Sequence, residues 1–161
     1  MLQRLSVAFE RVGSELADLG RHVFPLLPAV FEAAEVRQFD SRGSGPVAGA
    51  WKDLSPAYAE WKGRAFPGMP ILEATGALRA GLTQSSSPFA SREWSSSEFS
   101  FGTAGVEYAS LHQSGTGRMP PRPPFDLDSQ FEADLFKTAR KGVNDSIRAA
   151  NAENMVGTIP E

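Results

Sequence analysis

The 161-residue chain contains no cysteine. That excludes disulfides, thiolate zinc sites, iron–sulfur clusters and a cysteine nucleophile. It also lacks a long apolar run, and its longest is a few residues, too short to span a membrane. The N-terminal stretch MLQRLSVAFERVGSE meets polar and acidic residues too early for a signal-peptide core. Only two histidines are present, His22 and His112, and neither has metal-ligand spacing around it, so no metal or cofactor is expected. No Gly-x-Ser-x-Gly elbow and no Walker loop occurs. Gly115-Thr116-Gly117 lacks the preceding strand and following long helix that a phosphate cradle needs. These absences point away from catalysis.

Charge of one sign is also scarce. The net charge is −3, which argues against a large nucleic-acid footprint. Residues 1–40 carry net −2, residues 41–90 net +2, residues 91–125 are balanced, and residues 126–161 carry net −3. Acidic ends and a basic middle suit a solvated surface or head-to-tail contacts between copies.

What is present describes one ordinary domain: 41% hydrophobic, 22% charged and 10% aromatic residues, in a length that can bury a core unaided. Leu2, Leu5, Phe9, Val12, Leu16 and Leu19 recur at spacings of three and four. They predict an amphipathic helix facing the core or another helix, with Gly20 as its terminator. Pro25 and Pro28 predict a break over 21–27 and a second helix from Pro28 to Phe39, with Phe31, Ala34, Glu35 and Phe39 on one face. The stretch 40–50, DSRGSGPVAGA, is a loop by composition. Ser55 and Pro56 read as N-cap and first helical residue of a short helix ending at Gly63, followed by a second loop over 63–70.

Alternation of Leu78, Ala80 and Leu82 predicts a strand over 77–84, and Phe99 and Phe101 a second over 92–102. The eight serines between Ser85 and Ser100 suit a polar hairpin or a disordered loop. The hairpin is preferred because Phe89, Trp94, Phe99 and Phe101 give it something to bury. A short helix is expected over Val106–Gln113, closed by Gly115 and Gly117. Met119-Pro120-Pro121-Arg122-Pro123-Pro124-Phe125 must be extended, either as a rigid connector or as a displayed proline-rich ligand. Asp126 and Asp128 stand at the N-terminus of a last helix. Ser129 and Glu132 have capping-box spacing, and Leu127, Phe131, Leu135, Ala139, Val143 and Ile147 recur every four residues. Residues 151–161 read as a loose tail. The order predicts an α+β domain over 1–150: a small antiparallel sheet packed with N-terminal helices and a long C-terminal helix.

Four segments, in order, resemble one family. Trp51-Lys52-Asp53-Leu54-Ser55-Pro56-Ala57-Tyr58, with Lys62 following, is similar to the W-x-x-L-S-x-x-Y/T…K signature of phage virion morphogenesis proteins. Ile71-Leu72-Glu73-Ala74-Thr75-Gly76-Ala77-Leu78-Arg79 resembles their L-x-x-T-G-x-L-R step. Glu107-Tyr108-Ala109-Ser110-Leu111-His112-Gln113-Ser114-Gly115 resembles Y-A-x-x-H-Q-x-G. Met119–Phe125 resembles P-x-R-P-F, with Pro124 as an extra residue. The resemblance covers about residues 28–148. It implies a structural virion protein, assembled in the host bacterial cytoplasm. Its place is a ring, commonly a hexamer, at the neck, which completes or terminates the tail and joins it to the head. Its partners are then other copies, the tail tube and the head connector, with DNA passing only transiently and no membrane. Under that reading Trp51, Leu54 and Tyr58 anchor either the core or the subunit seam. Arg122, between prolines, is a candidate salt bridge across that seam, and Tyr108, His112 and Phe125 complete the set. Competing readings are a monomeric adaptor presenting the proline-rich arm, and a hydrolase started from His112, Glu107 and Tyr108.

Overall fold

The computed structural model describes residues 19–43, 45, 49–126 and 128–156. The apolar stripe from Leu2 to Leu16, Leu127 and residues 157–161 lie outside them. The described chain opens with a helical turn, Leu19–His22, and a 3-10 turn, Phe24–Leu26. Five helices and a hairpin follow: α1 (Leu27–Asp40), α2 (Pro56–Ala65), α3 (Ala77–Thr83), β1 (Ala90–Trp94), β2 (Phe99–Thr103), α4 (Ala109–Ser114) and α5 (Ser129–Val156). The α+β expectation of a small antiparallel sheet with a long C-terminal helix is met.

The preferred serine-rich hairpin forms. Strands β1 and β2 pair antiparallel from Ala90↔Thr103 to Trp94↔Phe99. The tip is closed by Ser95 N–H donating to the Glu98 carbonyl at 2.9 Å. Phe99 and Phe101 share a face, as period-two alternation requires. Phe31 of α1 lies against both, at 5.5 and 4.9 Å between ring centroids, and against Phe131 of α5 at 4.9 Å. One aromatic layer thus joins α1, the hairpin and the long helix.

Several elements differ from the sequence expectation. Residues 77–83 are a helix, not a strand. Leu78 and Leu82 satisfy both the two-residue and the four-residue period, and both are fully buried on one face of α3. Ala, Leu and Arg favour a helix there, and no β-branched residue occurs before Thr83. The single strand over 92–102 is two strands with a turn between them. Gly20 does not end a helix; it lies within the turn Leu19–His22. A side chain there would stand 1.8 Å from the Ser95 carbonyl oxygen, so glycine permits the hairpin tip to approach.

Helix α2 passes Gly63 and ends at Ala65, because Phe66 precedes Pro67 and leaves the helical region. Helix α4 starts at Ala109 rather than Val106, whose side chain is buried in the core. Gly115 ends it with φ of +72°, a conformation that costs glycine little. The cap of α5 is Asp128, not Ser129: its carboxylate accepts from Phe131 N–H at 2.7 Å. The same carboxylate takes a bidentate pair from Arg37 at 2.9 and 3.0 Å, which ties the end of α1 to the start of α5. Helix α5 runs on to Val156, past the expected start of the tail at Asn151.

The principal core contains Phe39, Trp51, Leu78, Leu82 and Val106, with Phe101 and Phe125 against it. It joins α1, α3, the hairpin and the connector after α4.

Candidate functional site

The proline-rich segment shows how the site is held. Proline has no N–H, so within Pro120–Phe125 only Arg122 and Phe125 carry backbone donors. Both are used. Arg122 N–H donates to the His112 carbonyl at 2.8 Å, and Phe125 N–H to Gln113 Oε1 at 3.1 Å. Gln113 Nε2 returns a bond to the Phe125 carbonyl at 2.9 Å. The Pro123 carbonyl accepts two side-chain donors, Trp51 Nε1 and Gln38 Nε2, each at 3.1 Å. Buried backbone carbonyls without a ladder need such partners.

Arg122 is itself buried. Its Nε donates to the Lys52 carbonyl at 2.7 Å and its Nη2 to the Asp53 carbonyl at 2.8 Å. It therefore fastens the start of the first motif to the fourth. Within the chain its cation is directed inward, onto these two backbone carbonyls. The segment is a packed connector, since Arg122, Pro123 and Pro124 are all buried. A displayed ligand arm would need them exposed.

Above the connector opens a cleft of about 690 Å3. Leu54 and Tyr58 form one wall, from the entry and first turns of α2. Tyr108 and His112 form another from α4 and its N-cap, and Leu72, Glu73 and Met119 come from the loops. Five of the seven residues singled out from the sequence (Leu54, Tyr58, Tyr108, His112 and Arg122) line this one cleft. Trp51 and Phe125 instead belong to the core beneath it. Trp51 thus takes the core role, whereas Leu54 is half-buried and Tyr58 is 48% exposed.

The polar groups of the cleft are mostly engaged in holding its shape. Lys62 is buried, and its Nζ donates to the Met69 carbonyl at 3.0 Å and to the Pro70 carbonyl. This folds the loop after α2 back onto the helix. Burial lowers the Lys62 pKa, against the raising effect of Glu73. Leu72 is held at φ of +64°, uncommon for a side chain of its size. Glu73 is buried and accepts from Arg79 at 2.9 Å; Arg79 also reaches Asp40 at 2.6 Å. Sequence reading singled out neither Glu73 nor Gln113, although both stand inside quoted motifs.

His112 sits edge-on to Tyr108 with ring centroids 5.8 Å apart. Burial, reinforced by the Arg122 charge, lowers its pKa, so the ring is neutral near pH 7. Its Nδ1 is buried without a hydrogen-bond partner. Glu107 is exposed and does not hydrogen-bond that nitrogen, so the hydrolase constellation lacks its orienting contact. Among the described residues no three His, Asp or Glu side chains group as metal ligands. No helix among them is long and apolar enough to cross a membrane.

Two partly exposed lining residues, Tyr58 and Tyr108, give the cleft its aromatic rim, and Trp61 and Phe66 extend from Tyr58 outside the lining. Tyr58 and Trp61 lie 5.2 Å apart, and Trp61 and Phe66 5.8 Å apart. Trp61, Tyr108 and Leu111 are 41–49% exposed. An apolar, aromatic-rimmed cleft with firmly held walls is suited to receiving a side chain or short segment of a partner. Comparisons of the chain with protein-family models, with curated proteins and with solved structures find no match.

Proposed function

We propose that the chain is a structural virion subunit of a tailed phage, assembling as a ring at the neck to complete or terminate the tail and join it to the head. The observation that carries this reading is the convergence of the four motif-bearing segments. Trp51 and Arg122 join the first and fourth through Pro123, Lys52 and Asp53. Gln113 and the His112 carbonyl join the third to the fourth. Leu78 of the second packs in the core with Trp51. Residues that resemble one family along the chain are thus the residues that build one cleft and its floor.

An assembly role also suits the chemistry of that cleft, whose cations mostly hold backbone carbonyls and whose rim is aromatic. Rings arise when a heterologous contact closes on itself. The test is electron microscopy of lysate from the phage carrying this gene after its deletion. Full heads beside separate tails of normal length are the expected result. Overlong tails would assign termination instead, and normal infectious particles would overturn the reading.

A further inference from the structure

Helix α5 turns Phe131, Gly142, Ser146 and Ala150 inward. Phe136 points away from them and is 71% exposed, the most exposed large apolar side chain among the described residues. A single exposed apolar residue needs no partner by itself. Phe136, however, is flanked one turn before by Glu132 and one turn after by Arg140. Both are exposed, and neither side chain makes an ion pair or hydrogen bond among the described residues.

The cleft carries the complementary pattern. Leu54, Leu72, Tyr58 and Tyr108 supply apolar walls, and Arg118 and Asp53 line the same opening. Both of those charges are exposed, and their side chains likewise make no ion pair or hydrogen bond among the described residues. The geometry points to a head-to-tail contact between copies: Phe136 of one enters the cleft of the next, with Glu132 facing Arg118 and Arg140 facing Asp53. Two different faces of one chain meet, which is the heterologous arrangement a ring requires. This contact rests on the ring reading above.

The absence of cysteine makes the test clean. Ser55→Cys places a thiol at the cleft, where the serine makes no cap hydrogen bond. Ala133→Cys places one a turn from Phe136 and leaves the ring in place. The two full-length variants, mixed and mildly oxidised, are expected to give a disulfide-linked heterodimer in excess of either homodimer. Phe136→Ser in the Ala133→Cys chain should abolish it while leaving the thermal midpoint unchanged. In the cysteine-free chain the same substitution should weaken self-association by about tenfold to a hundredfold, as expected for exposing one phenyl ring.

Sedimentation of the unsubstituted chain, run alongside, separates the failures. An oligomer without the heterodimer cross-link overturns this contact and leaves the ring reading intact. A monomer at every concentration, without the cross-link, overturns the contact and counts against the ring. A cross-link that survives Phe136→Ser, or a dominant Ala133→Cys homodimer, also overturns it.

Discussion

Two buried polar regions of the molecule are handled in opposite ways. In the connector, both backbone N–H groups of Pro120–Phe125 have acceptors, and Pro123 and Phe125 carbonyls receive side-chain donors. On the inner faces of α1 and α5, Glu35 is fully buried with neither carboxylate oxygen hydrogen-bonded, and the Ser146 hydroxyl is buried without a partner. Burial raises the Glu35 pKa to about 8, with Arg92 nearby pulling it the other way. Arg92 is already committed: it donates to the Gly81 and Gly102 carbonyls and to Glu32, and stacks over Phe101 at 3.7 Å. A satisfied network fixes a conformation, whereas an unpaired buried acid makes stability depend on protonation. The cleft stands on the first arrangement and α1 carries the second.

The largest expected effect breaks the satisfied side. Trp51→Ala removes a core aromatic and a donor to Pro123, and should destabilise by about 3–5 kcal/mol in denaturant unfolding. Trp51→Phe should recover most of that and leave the cost of one lost hydrogen bond, about 0.5–1.5 kcal/mol, since Gln38 still donates to the Pro123 carbonyl. Arg122→Met keeps volume but strips two charge-assisted bonds from the Lys52 and Asp53 carbonyls. About 2–4 kcal/mol is expected, with the cleft tyrosines becoming more accessible to quenchers.

The second region gives a pH signature of the opposite sign to ordinary acid denaturation. Folded Glu35 holds its proton up to about pH 8, while the unfolded side chain releases it near 4.5. The folded state therefore binds the extra proton between those values. This contribution is fully present below pH 4.5 and is lost as pH rises to about 8, with a slope of at most about 1.4 kcal/mol per pH unit. Glu35→Gln should flatten that slope and be the more stable chain at pH 8. Unchanged pH dependence in the variant would contradict the assignment of this slope to Glu35. The smallest effect sharpens the contrast at a helix end: Asp128→Ala removes the α5 cap and the Arg37 pair, for about 1–2 kcal/mol.

Much of this was legible in the sequence because local chemistry decided it. Pro56, Gly115 and the serine-rich turn each set a boundary through φ restriction or turn preference, whereas α2 ends before Pro67 rather than at the expected Gly63. The long helix followed from periodicity; the hairpin followed from its aromatic residues, while alternation misplaced its strands. Residues 77–83 misled because Leu78-x-Ala80-x-Leu82 fits two periods at once, and only the packed face distinguishes them. The convergence of Leu54, Tyr58, Tyr108, His112 and Arg122 came through motif order. What holds them did not: Gln38 and Gln113 act on connector carbonyls 85 and 12 residues away, and no local pattern marks such a partner. Glu35 falls on the predicted apolar face of its helix, but its lack of a hydrogen-bond partner is a property of packing alone.

The central structural claim is that the proline-rich connector is closed by its partners and forms the floor of the cleft. Backbone amide hydrogen exchange tests it most directly, because Arg122 and Phe125 are the two reporters that segment contains. The account predicts that both exchange only with global unfolding, as slowly as the amides of α5 around Gly142. Exchange at the rate of an open loop, while α5 stays protected, would contradict it.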